Sequence, residues 1–134
     1  MQQAAGLPHF PATFNSTSFG TLPTVYLATM GKNGLRKVAE LCWHKSHYAA
    51  GQIAALPSYR VGMAGPFFQE FVVRCPRPVA EINRALYDEW DVIGGYDLGQ
   101  DYPNLANCML VCVTEMNSRD QIDLLVEALR ELGE

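Results

Sequence analysis

The run "CMLVCVTE", residues 108–115, limits what this chain can become. Its apolar residues fall on both alternate positions, so a strand built from it has no polar face. Such a strand belongs in the interior of a sheet, paired on both edges and covered on both sides. The rest of the chain must supply its neighbours and its cover.

Two stretches upstream supply strands. "YRVGM", residues 59–63, alternates apolar and polar as a half-buried strand does. After the turn "AGP", the run "FFQEFVVRC" at 67–75 reads as a second strand. The close spacing of the two predicts a hairpin. Three stretches supply amphipathic helices. From Gly34 to Leu56, the residues Leu35, Val38, Cys42, Ala49, Ile53 and Leu56 share one stripe, and Pro57 ends the pattern. Asn33 is placed to cap it, since its side-chain oxygen can accept from the free amides of the first turn. After "PRP", the residues Val79, Ile82, Leu86 and Trp90 share a face, and Pro78 suits a helix start, where no amide donor is needed. The last helix opens on Ser118 and Gln121 at capping-box spacing. Its stripe is Ile122, Leu125, Val126, Leu129 and Leu132, and Gly133 stops it.

"PTVYLATM", residues 23–30, is ambiguous. Its β-branched residues favour a strand, while Pro23 suits the first turn of a helix, and helix is the expectation. "GKNG" then breaks the run. Residues 1–22 mix Pro, Ser, Thr, Asn and isolated phenylalanines without a period, and read as a loosely ordered lead-in. The expected order is helix, strand, strand, helix, short strand, strand, helix. This predicts one α/β (α+β layered) domain over 23–134, with helices on one face of a short, mainly antiparallel sheet.

Composition narrows the function classes. The 134 residues are 49% hydrophobic and 18% charged, enough for one packed core. With a net charge of −4 and scattered basic residues, no nucleic-acid surface is expected. No apolar run reaches the roughly 20 residues of a membrane span, and the first ten residues lack the basic start of a signal peptide. Cys108 and Cys112 would lie on one strand face roughly 13 Å apart, too far for a disulfide. Buried reduced thiols in a cytoplasmic protein are the expectation for all four cysteines.

Few residues carry a chemical signal. His44 and His47 stand three apart on a helix and could share a metal ion, but two histidines are half a site. A solvated or partner-facing surface is the expectation, with no metal. Glu70 stands among Phe67, Phe68 and Phe71. It is either a tuned acid or base, a solvent-facing edge residue, or a partner for Arg74. "GGYDLG" within residues 92–104 matches no phosphate-binding loop, and no catalytic residue is expected in the chain.

Three segments carry a family resemblance: "PTVYLATMGKNGLRKVAELCWHKSHYAAGQIAALP", "GPFFQEFVVRCPRPV" and "IGGYDLGQDYPNLANCMLVCVTE". In this order and spacing the chain, from about Pro23 to Leu132, resembles the C-terminal part of subunit 1 of the two-subunit bacterial glycine decarboxylase, the P-protein of the glycine cleavage system. Residues 1–22 do not match it. The resemblance implies the small C-terminal domain of fold-type-I pyridoxal-phosphate enzymes. It also implies the complete complex's reaction, an oxidoreductase step of glycine catabolism in which glycine is decarboxylated on pyridoxal phosphate. The aminomethyl group then passes to the lipoyl arm of the H-protein.

The resemblance does not imply that this chain binds the cofactor by itself. The cofactor lysine is expected on subunit 2, and Lys32, Lys37 and Lys45 lack the setting of a Schiff-base lysine. A substrate-clamping arginine of many relatives would fall near Cys112, which cannot grip a carboxylate. The implied role is scaffold, active-site wall and interface. The implied partners are the rest of subunit 1, subunit 2 and the H-protein. A free-standing interaction or small-ligand module, self-associating as a homo-oligomer, is the alternative. Phe67, Phe68, Glu70, Gly94, Gly95, Tyr96 and Asp97 are the candidates for facing the cleft or a partner. Gly94 and Gly95 are expected at positive φ, with Tyr96 as an interface ring and Asp97 tying the turn. On that view Gly95→Val redirects the loop and spares the fold.

Overall fold

The hairpin and the interior strand find each other by pairing in register. The computed structural model describes residues 16–62 and 65–133, with side chains from Thr21 onward. Strand β1 (Arg60–Val61) pairs antiparallel with β2 (Glu70–Arg74), matching Arg60 to Arg74 and Val61 to Val73. Strand β2 pairs antiparallel with β4 (Cys108–Cys112) along its whole length, from Glu70 opposite Cys112 to Arg74 opposite Cys108. The short β3 (Tyr96–Asp97) closes the other edge of β4. The sheet order is β1-β2-β4-β3, so β4 is interior as expected.

Alternation along the pleat decides what each face does. Phe71, Val73, Met109 and Val111 point to one face and are buried. There they meet Ala49 and Ile53 of α1 (Ser16–Ala54), Val79, Ile82 and Leu86 of α2 (Val79–Trp90), and Ile122, Val126 and Leu129 of α3 (Arg119–Leu132). These stripes are the ones the 3.6-residue period marks. The opposite face is not covered to the same degree. Glu70, Arg74 and Cys112 are exposed and Val72 and Leu110 half-buried, while Cys108, opposite Arg74 on the same face, is buried. The expectation that the interior strand is covered on both sides is therefore corrected, as is that of four buried thiols. All four cysteines are free, and Cys112 is exposed.

The chain divides into two units, up to Arg36 and from Lys37 onward. In the first, the described residues are helical from Ser16, so residues 16–22 are not the loose lead-in expected of them. Residues 1–15 lie outside the described ones. The expected break at "GKNG" is confined to Gly31, whose φ of 58° and ψ of −175° interrupt α1. Asn33 lies beyond that point at helical dihedrals, and so is not the cap. Leu22, Val25, Tyr26 and Leu27 of this unit are exposed.

In the second unit, long-range hydrogen bonds fasten α1 to the end of the chain. Cys42 Sγ donates to Glu115 Oε2 at 3.2 Å, and burial followed by this partner pushes its pKa up. Lys45 Nζ donates to the carbonyls of Glu115 and Asn117, both at 2.5 Å. Tyr48 donates to Asp123 at 2.6 Å, with the Arg119 guanidinium 5.0 Å from its ring centroid. Ser58 donates to the Gly133 carbonyl at 2.7 Å. The capping box forms as expected. Ser118 Oγ accepts from the Gln121 amide, and Gln121 Oε1 accepts from the Ser118 amide.

Two buried acids give the core an alkaline limit. Burial pushes the Tyr59 phenol up to about 12, and burial followed by the nearby Cys108 pushes the Cys75 thiol up to about 12. The folded state then holds these protons more tightly than the unfolded chain, whose groups keep ordinary values of 10.0 and 9.0. Their stabilisation is complete below pH 9 and drains away as the pH rises towards 12. Tyr59 Oη has no hydrogen-bond partner among the described residues. Tyr59→Phe should therefore be neutral or stabilising at pH 7 and should flatten the alkaline loss. Urea unfolding at neutral pH and across the alkaline range checks both signs.

Candidate functional site

The segment from Val92 to Asn104 is built on a sharp reversal. Helix α2 ends with Asp91 in the left-handed region at φ 53°, and the Val92 amide reaches back to the Leu86 carbonyl at 3.0 Å. Neither Gly94 nor Gly95 has positive φ, contrary to expectation; among the described residues the glycines with positive φ are Gly31, Gly62 and Gly65. Steric room is what the pair supplies. A Cβ on Gly94 would stand 2.1 Å from Asn83 Oδ1 and 2.9 Å from Leu86 Cδ1. One on Gly95 would stand 2.3 Å from the Leu110 carbonyl oxygen and 2.5 Å from Met109 Cγ. Asn83 Nδ2 donates to the Gly95 carbonyl at 2.7 Å, and the Gly95 amide meets Met109 Sδ at 3.1 Å.

This close approach seats β3 on β4 and turns Tyr96 outward. Tyr96 is 51% exposed, and its hydroxyl donates to Asp101 at 2.8 Å. That bond and the negative charges around it push the phenol's pKa up. Asp97 accepts from the Gly99 amide at 3.0 Å, the turn-tying role expected of it. Tyr102 and Ile93 are also exposed, so the segment presents apolar groups and carboxylates from a backbone packed against α2 and β4.

The second candidate group lies before β2. Phe67 stacks on His47, with centroids 4.2 Å apart and planes within 8°, and His47 meets Trp43 at a tilt of 30°. Ser46, fully buried, has two carbonyl acceptors for its one hydroxyl proton, that of Phe68 at 2.5 Å and that of Trp43 at 3.0 Å. Phe68 itself is 49% exposed. His47 thus belongs to an aromatic stack, and no group of three metal-binding side chains occurs among the described residues.

Glu70 stands on the open sheet face beside Cys112, turned away from the buried Phe71. No ion pair joins it to Arg74. A concavity of about 320 Å³ lies against it, lined by Val61, Pro66, Phe67, Val72 and Leu110 among others. Tyr96 shares this sheet face, two strands across and two residues along, roughly 12 Å from Glu70 by sheet geometry. The structure therefore brings Glu70 and Tyr96 to one face without contact, and places Gly94 and Gly95 inside the packing.

The Ser46 hydroxyl is held between two carbonyls, and partial desolvation followed by the Glu70 charge pushes the pKa of the exposed Cys112 up. The sequence reading missed Ser46, because a serine in an apolar stripe looks like a gap. It also missed Arg60 opposite Arg74, which only the hairpin register reveals.

No family model matches the chain. A probable glycine dehydrogenase (decarboxylating) subunit 1 from Thermomicrobium roseum is 58% identical over 108 residues, covering 81% of this chain and 24% of the relative. The chain is similar to the C-terminal part of that subunit. Proteins of the same name from Anoxybacillus flavithermus and Desulforamulus reducens are 43% and 47% identical, over 83% and 79% of this chain. The chain spans about a quarter of the length of the curated relatives it matches. A crystal structure of the glycine decarboxylase P-protein, bound to an inhibitor, superposes with a TM-score of 0.73 at 30% identity, over 81% of this chain and 24% of that one. A phosphoserine aminotransferase from Cytophaga hutchinsonii shares the fold at a TM-score of 0.62 and 19% identity, over 87% of this chain and 32% of its own. The fold is that of the small domain of fold-type-I pyridoxal-phosphate enzymes, as the sequence resemblance implies.

The lysines here do not fit the anchoring of that cofactor. Lys45 is spent on two backbone carbonyls, Lys32 and Lys37 are exposed on α1, and no lysine lines the concavity beside Glu70.

The glycine pair yields a prediction opposite to the one from sequence. Gly95→Val drives two methyl groups into the Leu110 carbonyl, and should cost about 3 kcal/mol or more by breaking the β3–β4 pairing. Tyr96→Ala removes an exposed ring, and should stay within about 0.5 kcal/mol of the parent. Thermal and urea denaturation of the two variants measures the contrast.

Proposed function

We infer that the chain acts as the C-terminal domain of a glycine dehydrogenase (aminomethyl-transferring) subunit 1, supplying scaffold, active-site wall and subunit interface for pyridoxal-phosphate-dependent glycine decarboxylation. The 58% identity over 108 residues carries this reading. Its partners on this view are the rest of subunit 1, subunit 2 and the lipoyl H-protein, in the cytoplasm. The commitment of Lys45 to backbone carbonyls supports a chain that lends shape and not a cofactor anchor. The surface offered is the Tyr96–Tyr102 segment together with Phe67, Phe68 and Glu70. No helix among the described residues is long and apolar enough to cross a membrane.

The test is complementation. The Thermomicrobium roseum subunit 1 lacking its C-terminal quarter is co-expressed with subunit 2, with and without this chain. The chain should co-purify, and glycine decarboxylation should depend on its presence. Tyr96→Ala should weaken co-purification about tenfold while leaving the melting temperature unchanged. Decarboxylation by this chain alone, or failure to co-purify, would overturn the reading.

A further inference from the structure

We draw no further inference here: the strongest candidate, the groove of about 450 Å³ between the end of α2 and the start of α3, lined by Val92, Ile93, Leu124 and Leu125 among others, is an unpartnered face of a chain that spans about a quarter of the length of its relatives, and nothing in the structure shows what covers it.

Discussion

Everything in the second unit hangs on the five-residue antiparallel match between β2 and β4. That register puts Phe71 beside Val111 and Val73 beside Met109 on one face, and sends Glu70, Val72 and Arg74 to the other. A slip of one residue would exchange the faces, putting two charges into the core and two large apolar side chains into water. The three amphipathic stripes then have one place to go. The helices cover the apolar face, and Glu70 and Arg74 stay exposed on the other.

The glycine pair extends the same logic to the sheet edge. Strand β3 has only two residues and cannot hold its place by ladder bonds alone. Gly95 lets the backbone come against Leu110, while Asn83 fixes the carbonyl from the helix side. Tyr96 is exposed above a closely packed backbone as a consequence. Any interface role of Tyr96 thus depends on two residues that contribute no side chain.

Periodicity made the architecture legible. The stripes of α2 and α3, the capping box at Ser118, the hairpin and the interior strand all follow from local pattern, because burial on one face leaves a period of 3.6 or 2. The family resemblance was legible for a related reason, since it rests on three contiguous segments. What could not be read is what depends on pairing across the chain. Whether a glycine supplies an unusual φ or merely room is decided by its neighbour in space, and Leu110 lies 15 positions from Gly95. The facing of Arg60 and Arg74, the burial of Ser46 and the engagement of Lys45 are of the same kind. The single-residue kink at Gly31 shows the limit locally, because "GKNG" signals a break without saying how narrow it is.

The fastening of α1 to the last quarter of the chain bears on the order in which the fold is acquired. Cys42, Lys45, Tyr48 and Ser58 each find their partner 70 to 75 positions later. Closing loops of that size costs entropy before any contact repays it, and topologies dominated by such closures fold slowly. Until Ile122, Val126 and Leu129 arrive, one side of the sheet's apolar face has no cover. A nascent or partly folded chain would therefore hold its helices and hairpin while still exposing a sticky surface, and the last helix is the piece that ends that exposure.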